Sequence, residues 1–119
     1  MLPLLEKKIV FISGGSQGLG ASIARAAVRE GAQAVVVTGR QPEAGEKFVA
    51  ELAEQGAVTG QATTRRTVAR FVQADVSDVA QAQAAVQTAV DEFGRVDCLV
   101  NSAGLTARGT LLGTTPRPR

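Results

Sequence analysis

Short apolar runs alternate along the chain with stretches in which apolar residues recur every three or four positions. The apolar runs predict four strands, over residues 9–12, 34–37, 68–74 and 96–100. The first two runs are continuous, which is typical of strands buried on both faces of a sheet. Helical periodicity between the runs gives the order βαβαβαβ. This order predicts an α/β fold with a parallel sheet, because each strand–helix–strand unit returns by a right-handed crossover.

The three predicted helices carry start and stop signals. Gly31 is the expected stop of the first helix, and the second is expected to begin at Pro42 and end at Gly56. Ser77 is the expected N-cap of the third helix, and Gly94 its end. The apolar positions expected to face the sheet in this third helix are Val79, Ala82, Val86, Val90 and Phe93.

The same pattern gives expectations for residues 57–67 and for Cys98. Residues 57–67 lack any period and predict a long loop at the end of the sheet away from the strands' carboxyl ends. We expect no binding role for this loop and interpret its Arg65 and Arg66 as solvated charges. Cys98 falls inside the fourth predicted strand, where it is interpreted as a small buried hydrophobic residue rather than a nucleophile.

Composition is that of an ordinary globular protein, with 45% apolar and 20% charged residues in 119. A formal net charge of +2 without a basic stripe argues against a nucleic-acid partner. No apolar run approaches the roughly 18 residues that would span a bilayer, and no signal peptide is recognisable, so we expect a cytoplasmic protein without a membrane partner. The absence of His and the single Cys exclude a disulfide framework and a His-based zinc site within the chain.

A glycine-rich segment, residues 13–20, joins the first predicted strand to the first helix. Glycines permit a tight turn and a close approach of backbone to phosphate, and the following helix start offers free N–H groups and partial positive charge. Ser16 can add a hydroxyl donor. The pattern favours phosphate binding over a simple glycine-rich turn, and its spacing is not that of a P-loop nucleoside triphosphatase.

The tips of the second and third strands carry the next candidates. NAD-selective dinucleotide folds often place an acid about 20 residues past the glycines, but this chain has Gly39 and Arg40 there. Because Arg can pair with a 2′-phosphate, we predict NADP(H) rather than NAD(H), the alternative being that Arg40 is a solvated surface charge. Asp75 follows the third strand and can accept from an exocyclic amino group, or it can belong to the capping region of the next helix.

Taken together, these motifs resemble the short-chain dehydrogenase/reductase family. Its Thr-Gly-x-x-x-Gly-x-Gly pattern is present with Ser13 in place of Thr, and its Asp-Val step matches Asp75 and Val76. Its Asn-Asn-Ala-Gly element matches residues 101–104, with Ser102 as a departure. The resemblance runs from about Lys7 to Thr115.

The resemblance implies a Rossmann-type doubly wound parallel sheet, here truncated after the fourth strand. Residues 1–104 would form an NADP-binding half-domain, and residues 105–119 a truncated substrate-side loop with a Pro/Arg tail. The glycines would shape the pyrophosphate turn, and Asp75 and Val76 would meet the adenine. Asn101, Ala103 and Gly104 would line the ribose and support the centre of the sheet. The implied cofactor-binding residues are Gly14, Ser16, Gln17, Gly18, Leu19, Gly20, Arg40, Asp75, Val76, Asn101, Ala103 and Gly104.

The resemblance also implies a chemistry that this chain does not carry by itself. Members of the family transfer hydride between a nicotinamide and an alcohol or carbonyl, using a Tyr-x-x-x-Lys pair with a Ser and an Asn. This chain has no Tyr, and its lysines, Lys7, Lys8 and Lys47, all lie far upstream. We therefore expect a dinucleotide-binding fragment without catalysis of its own. The alternatives are a non-enzymatic module that binds a dinucleotide or dimerises through the edge of the fourth strand, and a non-functional truncated product.

Overall fold

The computed structural model describes residues 5–14, 18–58 and 67–102. Within them the chain forms a parallel four-stranded sheet in the order β3-β2-β1-β4, which confirms the predicted βαβαβαβ arrangement. The elements are β1 (Ile9–Ser13), α1 (Gly18–Arg29), β2 (Ala34–Gly39), α2 (Pro42–Val58), β3 (Val68–Gln73), α3 (Val79–Phe93) and β4 (Cys98–Asn101).

The order in which successive strands are placed in the sheet reverses at β1. The chain steps outward from β1 to β2 and β3, and then crosses back so that β4 pairs with the other side of β1. In open α/β sheets such a reversal leaves a crevice at the carboxyl ends of the two strands involved, and ligands bind there. Ser13 and Asn101 are register partners at the carboxyl ends of β1 and β4, so they mark the position of this crevice.

The core lies on both faces of β1 and β2, which explains why their sequences are continuous apolar runs. Residues 9–12 and 34–37 are all 2% exposed or less. On one face the strands pack against α1 and α2, whose buried side chains include Ala24 and Leu52. On the other face Phe11 and Val36 pack with residues of α3.

The helix ends agree with the predicted signals in three places and differ in two. Pro42 is the first residue of α2, Gly31 follows α1 with a φ of 82°, and Gly94 ends α3 with a φ of 88°, as expected. The predicted end of α2 at Gly56 is wrong, because the helix continues to Val58.

The predicted N-cap of α3 is also wrong, since Asp78 caps this helix instead of Ser77. The Asp78 carboxylate accepts hydrogen bonds from the backbone N–H groups of Ala80 and Gln81 at 2.9 and 3.4 Å. The Ser77 hydroxyl instead donates to Asp75 Oδ1 at 2.6 Å. This bond turns Ser77 toward the end of β3 and leaves the capping position to Asp78.

The face that α3 presents to the sheet differs in part from the predicted one. Val79, expected in the core, is 68% exposed, whereas Ala85 and Ala89 are each 1% exposed. Val86 and Phe93 pack against the same cluster, as expected. Small alanines therefore make the closest approach to the sheet, and the first turn of the helix projects beyond it.

The edge strand β4 is far more exposed than its sequence predicts. Leu99 is 63% exposed and Cys98 is exposed, so the expectation of a buried cysteine is wrong. In the part of the chain that the structure describes, β4 pairs with β1 alone. A strand with one neighbour and little helix cover cannot bury both of its faces.

A carboxylate ties the amino ends of β1 and β4 together. Asp97 Oδ2 accepts from the backbone N–H of Ile9 at 2.8 Å and lies 3.0 Å from Arg95 Nε, and Arg95 also donates to the carbonyl of Lys7. The Ile9 N–H, followed by the hydrogen bond and charge of Arg95, holds the pKa of Asp97 below its usual value.

Replacing Asp97 by Ala is therefore expected to lower the free energy of unfolding at neutral pH. A carboxyl whose pKa is lowered by folding stabilises the protein above its unfolded pKa, and this contribution disappears as the pH falls through the folded pKa. Urea unfolding should thus separate the variant from the unmodified chain at pH 7, and the difference should shrink as the pH falls below about 4, the ordinary pKa of an Asp carboxyl. Glu51→Ala, on an exposed site of α2, is the control, and the same pH response in both variants would contradict the role of Asp97.

Candidate functional site

Four of the predicted site residues lie at one edge of the sheet, at or just beyond the carboxyl ends of the four strands. Gly14 follows β1 and Asn101 ends β4, and these two strands are neighbours. Arg40 follows β2 and Asp75 comes two residues after β3, and these strands are also neighbours. The structure therefore places the four residues in two adjoining pairs along the carboxyl edge of the sheet.

Two positions of the glycine-rich segment have a backbone conformation that favours glycine. Gly14 and Gly18 have φ values of 75° and 58°, in the left-handed region that residues with a Cβ rarely adopt. At Gly18 an added Cβ would meet nothing within 4 Å, so the requirement there is conformational and not steric. These two glycines lie just after the end of β1 and at the first residue of α1.

The amino end of α1 can receive an anion. No acidic side chain lies in its first turn, so nothing there opposes the partial positive charge of the helix start. Gly20 is buried, while Leu19 is 53% exposed beside the crevice. The first N–H groups of a helix have no partner within the helix, and they are available to phosphate oxygens.

Two hydroxyl groups that the sequence analysis did not assign to the site hold the Gly14 peptide. The N–H of Gly14 donates to Thr38 Oγ1 at 3.1 Å. Ser102 Oγ donates toward the carbonyl oxygens of Ser13 and Gly14, at 2.7 and 3.0 Å. The sequence signal for Thr38 was a polar residue ending a buried apolar strand, since such a residue must find a hydrogen-bond partner.

Asp75 is ionised and held in a turn. Its Oδ1 accepts from the hydroxyl and the backbone N–H of Ser77 at 2.6 and 3.0 Å. These two bonds, the hydroxyl foremost, lower the pKa of Asp75, and the positive charge of Arg40 adds to the effect. Within the described ranges both side-chain hydrogen bonds of Asp75 are made by Oδ1, which supports the turn that leads into α3.

Arg40 and Val76 form the outer rim of this edge. The Arg40 side chain is exposed, and its backbone carbonyl accepts from Gln73 Nε2 at 3.3 Å, which ties the tip of β2 to the end of β3. Val76 is half-buried beside Asp75. Arg40, Asp75 and Val76 thus lie after the neighbouring strands β2 and β3. A guanidinium, a carboxylate and an apolar side chain at one edge are a combination suited to a ribose phosphate and a heteroaromatic base.

Some predicted residues lie outside the described ranges. They are Ser16, Gln17, Arg65, Arg66, Ala103, Gly104 and the segment 105–119. None of the described helices combines the length and apolar character that crossing a bilayer requires.

Comparison with known proteins gives consistent matches. The model of the family described as short chain dehydrogenase matches residues 8–117. A 3-alpha-(or 20-beta)-hydroxysteroid dehydrogenase of Mycobacterium bovis is 42% identical over 104 residues, which make up 87% of this chain and 35% of that protein.

Two solved structures resemble the fold and hold different cofactors. A putative dehydrogenase from Burkholderia cenocepacia with bound NADP is 28% identical with a TM-score of 0.67, over 85% of this chain and 36% of that one. An NADH-dependent reductase complexed with NAD is 25% identical with a TM-score of 0.68, over 85% and 38%. This chain spans well under half the length of the relatives it matches.

Proposed function

This chain belongs to the short chain dehydrogenase family, and from that premise we propose that it is the NADP(H)-binding portion of an oxidoreductase. The observation that carries the proposal is the pair of left-handed glycines, Gly14 and Gly18, between β1 and α1 at the point where the sheet changes direction. The backbone there can approach a pyrophosphate closely, and the first turn of α1 supplies N–H donors without an opposing carboxylate.

Arg40 supports NADP(H) as the preferred dinucleotide. Its exposed guanidinium follows Gly39 at the tip of β2, where an acid would repel a 2′-phosphate. A planar guanidinium can instead pair with two phosphate oxygens at once. The similar structures include one with NAD and one with NADP, so the preference rests on Arg40 itself.

Asp75 and Val76 are proposed to receive the adenine. The Oδ1 atom of Asp75 is engaged by Ser77, which fixes the carboxylate and leaves Oδ2 to accept from the exocyclic amino group. The lowered pKa of Asp75 favours the carboxylate form, which accepts hydrogen bonds and donates none. Asn101, Ala103 and Gly104 are proposed to line the ribose, with Ser16 and Gln17 beside the phosphates.

Hydride transfer is proposed to need residues that this chain does not contain. When bound, the nicotinamide supplies or accepts the hydride, and a proton must also reach or leave the substrate oxygen. The chain has neither Tyr nor His, the usual groups for that proton transfer. The residues described here therefore bind and orient the dinucleotide, while the proton transfer belongs to other parts of a complete enzyme.

A second candidate role is self-association through β4. This strand lies at the edge of the described sheet, with Leu99 63% exposed. An exposed apolar edge is a template for pairing with another strand. Sedimentation of the purified chain with and without Leu99→Lys tests this role, which requires an oligomer that the substitution dissociates.

Direct titration tests the main proposal. We expect the purified chain to bind NADPH at least about tenfold more tightly than NADH, because only NADPH offers Arg40 a charged partner. The chain lacks Trp and Tyr, so the fluorescence of the reduced nicotinamide can be followed without a protein signal from those residues. Circular dichroism establishes that the sample is folded, and a folded chain that binds neither nucleotide would contradict the proposal.

A further inference from the structure

The buried polar side chains of the described residues gather at one place. They are Ser13, Thr38 and Ser102, at 8%, 0% and 8% exposure. Each lies at or just beyond the carboxyl end of a strand, on β1, β2 and β4, which are neighbours in the sheet. Polar groups buried in this way must be hydrogen-bonded, and two of the three hydroxyls bond to the peptide groups of Gly14.

The peptide units on both sides of Gly14 are fixed by two side chains, one within β2 and one directly after β4. Thr38 Oγ1 accepts from the Gly14 N–H at 3.1 Å, and Ser102 Oγ approaches the Gly14 carbonyl oxygen at 3.0 Å. Because Gly14 has a φ of 75°, its peptide orientation is not set by a regular strand or helix. The two hydroxyls therefore supply the restraint that secondary structure would supply elsewhere.

The Ser102 hydroxyl has a specific effect on Gly14. The hydroxyl carries one proton, which the carbonyls of Ser13 and Gly14 share. The carbonyl of Ser13 also accepts from the backbone N–H of Ser102 at 3.0 Å, so it stays paired when the hydroxyl is removed. Removing the hydroxyl thus leaves the Gly14 carbonyl as the group that loses its side-chain partner.

We propose that Thr38 and Ser102 are positioning residues, which set the orientation of the Gly14 peptide and through it the geometry of the pyrophosphate-binding turn. This inference rests on the proposed function. Both side chains are buried, at 0% and 8% exposure, and their hydroxyls bond to the backbone of the turn. Their contribution is to hold the backbone that meets the dinucleotide, so that the turn need not be ordered when the ligand arrives.

Two ligands distinguish positioning of the turn from general support of the sheet. NADPH contains the pyrophosphate, whereas adenosine 2′-phosphate offers the adenine and the 2′-phosphate and carries no 5′-phosphate to contact the turn. Thr38→Val and Ser102→Ala are each expected to weaken NADPH about tenfold, the effect of one lost hydrogen bond that leaves its partner unpaired. Binding of adenosine 2′-phosphate, measured by calorimetry, should change less than about twofold.

Matched variants complete the experiment. Thr38→Ser keeps the acceptor oxygen and should bind NADPH like the unmodified chain. Thr88→Val makes the same substitution as Thr38→Val on the exposed face of α3, where the hydroxyl donates to the Ala84 carbonyl at 2.9 Å, and should leave both ligands unaffected. Ser102 lies beyond the last described strand, so Ser102→Ala serves as the second test should Thr38→Val fail to fold.

The possible results separate the two hypotheses. Equal weakening of both ligands, or unchanged NADPH binding by folded Thr38→Val and Ser102→Ala, overturns the positioning role while the proposed function stands. An unmodified chain that binds neither ligand overturns the proposed function and this inference with it. Selective loss of NADPH, with recovery in Thr38→Ser, is the result that the positioning role requires.

Discussion

Replacing Arg40 by Asp is expected to raise the dissociation constant for NADPH about 100-fold and to change that for NADH less than about threefold. Arg40 is exposed at the tip of β2, where its guanidinium is free to meet a 2′-phosphate. The substitution removes charge-assisted hydrogen bonds and adds repulsion of the phosphate. An Asp at this point can also accept from the 2′-hydroxyl of NADH, which limits the loss for that cofactor.

Parallel titrations of both reduced nucleotides measure this difference. Arg29→Asp is the matched control, because Arg29 lies in the last turn of α1, away from the carboxyl edge of the sheet, and its replacement changes the net charge by the same amount. The control should bind both nucleotides as the unmodified chain does. Similar losses for NADPH and NADH in Arg40→Asp would show that Arg40 does not recognise the 2′-phosphate.

The arrangement of the central sheet could be predicted from sequence because the apolar runs that predict its strands are also the residues that form its core. Residues 9–12 and 34–37 are apolar at every position, and each lies in a strand covered on both faces. Helix boundaries depend on weaker and competing signals. Several oxygen-bearing side chains precede α3, and the choice of Asp78 as the cap follows from the bond between Ser77 and Asp75, which periodicity does not reveal.

Burial at the edge of the sheet could not be predicted in the same way. The sequence around Cys98 and Leu99 reads as another buried strand, yet both residues are exposed, because burial depends on which elements cover the strand. Local sequence carries no information about the neighbours of a strand in the sheet. Val79 is exposed for the same reason. Its position in the helical repeat predicts a buried side chain, but the first turn of α3 lies beyond the region that the sheet covers.

The candidate site could likewise be predicted from sequence only in part. Its outline was predictable, since strand ends of a parallel sheet meet at one edge and Gly14, Arg40, Asp75 and Asn101 each follow or end a strand. The support of the glycine turn was not, because the hydrogen bonds to Gly14 join residues 24 and 88 positions apart. A single sequence shows the polar residues but not which backbone groups they meet.

The packing of α2 on β3 gives the second large expected effect. Gly45 is buried in α2, and a Cβ at this position would overlap the ring of Phe71 on β3. In an exposed helix, Gly→Ala stabilises by about 1 kcal/mol, but forcing a methyl group into a filled space destabilises by about 1–3 kcal/mol. Overpacking should prevail, so Gly45→Ala is expected to lower the free energy of unfolding by up to about 2 kcal/mol, measured by urea denaturation.

A double-mutant cycle with Phe71→Leu identifies the cause of this loss. The smaller side chain leaves room for the added methyl group, so Gly45→Ala should be nearly neutral or stabilising in the Phe71→Leu background. The difference between the two backgrounds is the coupling between the helix position and the ring. If Gly45→Ala destabilises equally in both, or stabilises the unmodified chain, the ring does not set the distance between α2 and the sheet, and a backbone restraint elsewhere must do so.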